Sequence, residues 1–377
     1  MHYIEKIFNR SNSQPRGRHS ARLGLGTVGR HMSKIDRRSF SGLLVGAAAA
    51  GIGVRAQAQE LTIKVADSFP PKHNIANHGT RWWMDRVTEL SGGKVKFQYF
   101  GAEQLGKLKD MLSLLQAGAT DIAYVPPTFF EGKMPLSSVH SLPNLFSTSH
   151  VGGLAFHDTS LNTAILKEDY LRNGIRPMWG TMTSTYNIFT RNKPVRTVAD
   201  LKGMKIRSAG GYQDDAVRLL GAVPIDIPSP EAYQAIQLGT VDGAIFPTSA
   251  AQSYRIHEVS KYFTLGFDVT VFYAPYAVNL RAWDRWPADV KATFEKANAE
   301  ANLRMGKYFD ETNQKLIDGY AASGVEIITL APAEQAKVRE ALNPLYGKWV
   351  ADMKAKNLPG EEVLSYFREA IKRVPPA

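Results

Sequence analysis

Apolar positions recur along this chain with two periods, near 2 and near 3.6, and each change of period marks an element boundary. Leu61-Thr62-Ile63-Lys64-Val65-Ala66 predicts a strand. A helix follows, with Asn74 as its cap, running through Trp82, Trp83 and Val87 to Leu90 and stopping at Ser91-Gly92-Gly93. Residues 94–100, KVKFQYF, alternate as a strand does, and residues 107–117 return to the helical period. Met204-Lys205-Ile206-Arg207 predicts a short strand after the helix-ending Gly203, with only Ser208, Ala209, Gly210 and Gly211 behind its arginine. Residues 284–320 are mostly helical, long enough to cross between two bodies, and residues 333–372 predict surface-covering helices.

One phrase occurs twice. Residues 114–126 read LLQAGATDIAYVP and residues 235–247 read AIQLGTVDGAIFP, so Gln116/Gln237, Gly118/Gly239, Asp121/Asp242, Ala123/Ala244 and Pro126/Pro247 coincide at a constant offset of 121. In each, a helix ends at a glycine suited to a left-handed cap, a short apolar strand follows, and a proline stops it. Gly and Asp are common at any helix-to-strand turn, so two unrelated turns are the alternative; the shared helix-side Gln favours equivalence. Equivalent phrases imply two similar α/β lobes whose strand ends face a common cleft. Ligands of open α/β sheets sit beyond the strand C-termini, where Arg207 stands.

Composition changes this picture at one end only. The 377 residues are 44% apolar, enough for a substantial core in two domains. The formal charge is +11, yet residues 1–58 hold ten Lys and Arg against Glu5 and Asp36, so +8 of it lies there and the rest of the chain carries +3. A near-balanced body gives no electrostatic reason to expect nucleic-acid binding. The basic segment predicts an export signal instead: the twin arginine Arg37-Arg38, a 13-residue apolar run from Gly42 to Val54 that is too short to span a bilayer, and an A-x-A cleavage site at Ala56-Gln57-Ala58. Cleavage there starts the mature chain at Gln59, and that mature chain is expected not to insert into a membrane. Met32 is an ordinary start for such a signal, so residues 1–31 are expected to come from an upstream start codon or to leave with the signal. Their Gly24-Leu25-Gly26-Thr27-Val28-Gly29 matches G-x-G-x-x-G by chance, with no strand before it. The chain has no cysteine, which excludes disulfides, thiolate metal sites and Cys nucleophiles.

The stretches GGKVKFQYFGAEQLGKLKDMLSLLQAGATDIAYV, DLKGMKIRSAGG, LGAVPIDIPSPEAYQAIQLGTVDGAIFP and EVSKYFTLGF resemble the solute-binding proteins of tripartite ATP-independent periplasmic (TRAP) transporters, the DctP-like family, over residues 60 to about 330. The resemblance implies an α/β, two-lobed periplasmic binding protein fold with hinge strands and a long connecting helix. It implies a periplasmic protein that closes on a small organic acid and hands it to TRAP membrane subunits, with no cofactor. The expected division is lobe I at 59–184, with about 273–312 returning to it or crossing, and lobe II at 185–272 with about 313–377. The resemblance also gives Arg207, in the K-I-R motif, the role of pairing bidentately with the ligand carboxylate. A planar guanidinium matches a carboxylate fork, and burial strengthens the bonds. There are two departures from the family pattern. Phe246 stands where relatives often carry Asn before the proline, and Asn187 stands where some place a second basic residue. One cation and an added aromatic argue against dicarboxylates and for a monocarboxylate with an apolar or aromatic body. Phe272 and Tyr273, where the family's chain returns to the first lobe, and Phe69, Val125 and Pro126, which follow first-lobe strands, are further candidates for the pocket wall.

The competing class is an exported hydrolase or oxidoreductase acting on a small carboxylate. No G-x-S-x-G or H-E-x-x-H occurs, and His73 and His78 are spaced wrongly for one helix face. The histidines are expected at the surface or in loops, and Asp214-Asp215 at a solvated helix start. A binding module is therefore the leading reading. Replacing Arg37 and Arg38 together by Lys abolishes delivery by the twin-arginine route, because that route reads the pair; fractionation checks this, and mass spectrometry finds Gln59 at the mature N-terminus. Normal export of the double variant removes the twin-arginine assignment.

Overall fold

The structure is a computed structural model that describes residues 60–376; the Arg37-Arg38 pair, the Ala56–Ala58 site and the Gly24–Gly29 match lie outside the described residues. The strands within it are β1 (Leu61–Ala66), β2 (Val95–Phe100), β3 (Ile122–Tyr124), β4 (Ile175–Met182), β5 (Tyr186–Thr190), β6 (Lys205–Ser208), β7 (Val223–Asp226), β8 (Gly243–Pro247), β9 (Tyr262–Leu265), β10 (Tyr273–Asn279) and β11 (Glu326–Thr329). They form a five-stranded sheet of order β2-β1-β3-β10-β4 and a six-stranded sheet of order β11-β9-β5-β8-β6-β7. Apart from β11 the two orders correspond strand for strand. Each has three parallel strands (β2-β1-β3 and β7-β6-β8) followed by antiparallel pairings to β10 and β4 or to β5 and β9. The fold is two-lobed, and the chain crosses between lobes at residues 183–185 and 266–272.

The repeated phrase is one structural unit made twice. The helices α1 (Met111–Ala117) and α2 (Ala232–Gln237) lead to Gly118 at φ 76° and Gly239 at φ 75°, the left-handed region that glycine enters without a Cβ penalty. Asp121 and Asp242 then act alike. Each carboxylate accepts from the backbone N–H of the neighbouring strand, Lys64 at 2.9 Å and Lys205 at 2.8 Å. Each backbone N–H donates back to the same residue's carbonyl, at 3.1 and 2.8 Å. Register carries the match to the site: Ala66 pairs with Ala123, and Arg207 pairs with Ala244. Arg207 thus occupies the place of Ala66 in the other lobe.

Helix α3 (Ala288–Ala322) spans about 52 Å at 1.5 Å per residue. It buries Phe294, Ala297, Ala301, Met305 and Phe309 in the core that contains Trp83, Trp179 and Tyr276, and Ile317 and Tyr320 in the core of Phe189 and Phe263. Pro287 separates it from the shorter helix Leu280–Arg285, so residues 284–320 are mostly helical, as expected, with one break. The C-terminal helices divide their attachments. β11 joins the second sheet, while Trp349 Nε1 donates to Ser138 Oγ at 2.8 Å and Arg373 pairs with Asp158 at 2.7 Å on the first-lobe side.

Asn74 departs from expectation. It already has helical angles, φ −56° and ψ −45°, and the helix opens with π-type turns over Ile75–Arg81 before Trp82–Leu90. Its side chain is drawn across the cleft instead: Nδ2 donates to the Ser249 carbonyl at 2.8 Å and its backbone N–H to Ser253 Oγ at 3.2 Å. Lys109 pairs with Asp226 at 3.2 Å along the same seam, so the lobes are closed on each other.

Because the two aspartates do the same work, Asp121→Ala and Asp242→Ala each lower stability by about 1–2 kcal/mol, one charge-assisted bond apiece. At this separation the losses add. Denaturant unfolding reads both; a neutral Asp242→Ala beside a costly Asp121→Ala refutes the equivalence.

Candidate functional site

Arg207 lies in the third position of a four-residue strand and is 0% exposed. Its Nε donates to the Ile227 carbonyl at 2.7 Å, Nη2 to Ser229 Oγ at 3.1 Å, and Nη1 makes a long contact of 3.5 Å to the Ile245 carbonyl. Guanidinium has five N–H donors, so these contacts fix its plane and leave further N–H groups at the Nη end, the fork, with the Tyr186 hydroxyl within hydrogen-bonding reach of it. One face is covered by Phe246, whose ring centroid is 5.0 Å from Cζ. Among the described residues no carboxylate pairs with Arg207; Asp226, whose charge reaches it, is engaged by Lys109. Burial pulls the Arg207 pKa down, but a guanidinium keeps its charge in a protein. A buried cation with no anion costs several kcal/mol, which an anionic ligand offsets.

Two tyrosines, Tyr186 and Tyr254, lie within electrostatic reach of that guanidinium, and Tyr124 lies within reach of both. Burial pushes the Tyr186 hydroxyl up to about 12, and the Arg207 charge beside it pulls it back. Tyr254 also feels Arg207, and Tyr124 feels both Tyr254 and Tyr186; burial drives each of these two well above the ordinary tyrosine range. Gln213, whose Oε1 accepts from Ala209 N at 3.2 Å, keeps its buried Nε2 near Tyr186 outside hydrogen-bond geometry.

An aromatic wall runs from one lobe to the other through these residues. Phe69 stacks on His73 (4.2 Å between centroids) and leans on Tyr124 (4.4 Å). His73 meets Tyr254 edge-on at 5.0 Å, Tyr254 meets Phe246 at 5.7 Å, and Phe246 stacks on Tyr186 at 6.3 Å. Tyr186 continues to Phe272 at 6.5 Å and Phe272 to Phe129 at 6.0 Å. Asp67 braces the first-lobe end. It accepts from the hydroxyls of Tyr276 (2.6 Å) and Tyr99 (2.8 Å) and from Phe69 N–H (3.0 Å), while burial pushes its carboxyl up to about 6.

Arg207, Phe246, Phe272 and Phe69 therefore come together. Val125 and Pro126 are buried just beyond β3, with Val125 N–H on the Pro275 carbonyl at 3.0 Å. Asn187 pairs in register with Phe246, but its Oδ1 accepts from Phe267 N–H (3.0 Å) and Asp268 N–H (3.3 Å), so its amide holds the crossing segment. Tyr273, one residue past Phe272 on a pleated strand, packs on Phe156 at 4.6 Å and His140 at 6.1 Å, away from the wall. The histidines correct the sequence expectation in part. His73, in a loop, is 2% exposed, and His140 and His150 are buried within helical segments, while His78 is exposed as expected. Tyr124, Tyr186, Tyr254 and His73 were not singled out by sequence. Tyr124 and Tyr186 carry a signal in hindsight, since one lies inside the repeated phrase and the other opens the strand opposite Pro247; Tyr254 lies in a loop with none. Asp214 and Asp215 do begin a helix, but Asp214 is tied to Ser208 and Asp215 to Arg218 at 2.9 Å. Among the described residues no cluster of three or more His, Asp or Glu could hold a metal ion, and no helix is long and apolar enough to cross a membrane.

Residues 66–352 match the family described as bacterial extracellular solute-binding protein, family 7 (DctP). The chain is 28% identical over 329 residues to the C4-dicarboxylate-binding periplasmic protein DctP of Rhodobacter capsulatus, covering 85% of this chain and 96% of that protein. Its fold is similar to a TRAP solute-binding protein of Rhodoferax ferrireducens solved with copurified benzoate (TM-score 0.77, 22% identity, 83% of this chain and 98% of that one). It is equally similar to a marine-metagenome TRAP solute-binding protein specific for aromatic acids, solved with 3-hydroxybenzoate (TM-score 0.77, 20% identity, 84% and 100%).

Closure carries a pH signature. Glu131, from the first lobe, reaches the start of the helix Tyr212–Leu219 in the second, where Tyr212 N–H donates to its Oε1 at 3.4 Å. Burial pushes this carboxyl up to about 7 from an ordinary 4.5. A raised carboxyl binds its proton more tightly in the folded, closed state, so stability falls as pH rises from about 4.5 to about 7 and is level above. Asp67 and Asp169, raised to about 6 and about 7, contribute with the same sign. Glu131→Gln thus narrows the gap in melting temperature between pH 5 and pH 8 without abolishing it. An unchanged gap rules out Glu131 as a contributor.

Proposed function

The chain belongs to bacterial extracellular solute-binding protein family 7, and on that premise we propose that it captures a monocarboxylate with an aromatic or apolar body between its lobes, in the periplasm, and delivers it to TRAP membrane subunits. The observation that carries this reading is the Arg207 fork: the Nη end of a buried guanidinium, held in plane by Ile227 and Ser229, with no carboxylate partner among the described residues and an aromatic wall around it. Two charge-assisted bonds at roughly 1.5–3 kcal/mol each form a large part of the roughly 8 kcal/mol of a micromolar complex.

The ligand class follows from the groups around the fork. A second carboxylate would meet Asn187, whose amide is committed to residues 267 and 268, and would be buried without a cation. An aromatic body meets Phe246, Tyr186 and Phe69 with favourable offset or edge contacts. The benzoate and 3-hydroxybenzoate held by the two similar structures support this class, while the dicarboxylate-binding relative differs from it. Capture by closure needs no catalytic group, and a solute-binding family is a receptor family rather than an enzyme family.

Arg207→Lys keeps the charge and loses the fork, so affinity for benzoate falls at least about tenfold, or about 1.4 kcal/mol. Arg207→Ala lowers it further while circular dichroism shows the fold retained. Phe246→Asn removes the ring under the guanidinium and loses affinity for aromatic acids. Calorimetry with benzoate and succinate decides these outcomes; an Arg207→Ala variant that binds benzoate like the wild type makes Arg207 a structural cation only.

A further inference from the structure

His73 follows β1 at the first-lobe end of the aromatic wall, 2% exposed and with no ionised partner among the described residues. Its Nδ1 accepts the Ile75 backbone N–H at 3.1 Å. An imidazole nitrogen that accepts cannot carry the proton, so in the neutral ring the hydrogen sits on Nε2. That Nε2 is fully buried and has no hydrogen-bond partner among the described residues. Burial holds the ring neutral by pushing its pKa down to about 3. An orphaned donor of this kind costs about 1–3 kcal/mol, so it calls for a purpose.

Its surroundings say which. Phe69 fixes one face of the ring at 4.2 Å, and Tyr254, which lies within electrostatic reach of Arg207, stands edge-on to it at 5.0 Å. The next residue, Asn74, is bonded across the cleft to Ser249 and Ser253, so closure presses His73 against the second lobe. Arg207 and the segment bearing His73 come from corresponding strands of the two sheets, β6 and β1. A solute held at its carboxylate by one lobe therefore presents its other end to the other.

We propose that His73 Nε2–H is the second polar anchor of the pocket, a neutral donor that selects acids bearing an acceptor oxygen, a ring hydroxyl or ketone, at the end away from the carboxylate. This rests on the carboxylate reading of Arg207. It makes the solute a hydroxy- or oxo-substituted aromatic or cyclic monocarboxylate and lets its far end contribute to closure, because a ligand favours the state it contacts more fully.

The test compares benzoate with 3- and 4-hydroxybenzoate by calorimetry on the purified wild-type protein and on His73→Phe, a variant that keeps a flat ring on Phe69. The wild type binds at least one hydroxybenzoate about tenfold more tightly than benzoate, about 1.4 kcal/mol. His73→Phe erases that preference: its loss for the favoured hydroxybenzoate exceeds its loss for benzoate by about tenfold. Nitrogen-15 NMR of the wild type shows the Nε2-protonated tautomer, and its Hε2 resonance moves on addition of the preferred hydroxybenzoate and stays put with benzoate. Equal losses for all three acids in His73→Phe, or no wild-type preference, overturn the proposal and leave His73 as packing for Phe69 and Tyr254. An unmoved Hε2 resonance on saturation overturns it even where the variant fails to fold. Failure of the wild type to bind any of the three acids overturns the carboxylate reading first, and this inference with it.

Discussion

A buried guanidinium with no anionic partner among the described residues sets the terms for this molecule. Arg207 is desolvated, and its contacts within the chain are to carbonyls, a hydroxyl and an aromatic face. Each orients the charge and none neutralises it. A structural arginine would be expected beside an acid, as Arg373 is beside Asp158. On the proposed reading, an anionic solute offsets the cost of the unpaired cation. Within the repeated scaffold, the arginine stands where the other lobe carries Ala66.

The duplicated architecture explains why that charge lies between two bodies. The two sheets share a strand order, and the antiparallel strand of each comes from the other half of the sequence. β5 and β10 therefore link the lobes through short crossings, and α3 ties their cores together from outside. With strand ends facing, every loop after a parallel strand points into the cleft. Asp67, Phe69, His73 and Tyr124 come from one side and Arg207, Phe246 and Tyr254 from the other. The seam is stitched by exposed and half-buried polar contacts, Lys109 with Asp226, Asn74 with Ser249 and Ser253, and Glu131 with Tyr212. Such contacts are individually weak, which suits lobes that must part to admit and release a solute.

Polar satisfaction divides the site into fixed and available groups. Asp67, Asn187, Ile227 and Ser229 spend their capacity within the protein. The Arg207 fork and His73 Nε2 do not, and the Tyr186 and Tyr254 hydroxyls lie against the same charge. On the proposed reading, the division gives the site a cationic end and a neutral donor end with rings between.

What the sequence determined by itself was the local grammar and its repetition. The phrase at 114–126 and 235–247 announced two equivalent helix-to-strand turns, since left-handed glycines and strand-stopping prolines act through their own backbones, and it located Arg207 at a strand end. The resemblance carried by DLKGMKIRSAGG added the carboxylate role. Tertiary structure alone decided the rest. Asn74 was read as a helix cap because the pattern is local, yet a carbonyl 175 residues away claims its side chain. His73 was read as a surface or loop histidine, and it is in a loop, but its burial depends on Tyr254, 181 residues away in the other lobe, as well as on nearby Phe69. Tyr254 had no sequence signal, since a loop tyrosine acquires a role solely from the charge it is folded against. Burial, and with it every pKa shift and orphaned donor in the site, is a property of long-range packing that periodicity does not encode.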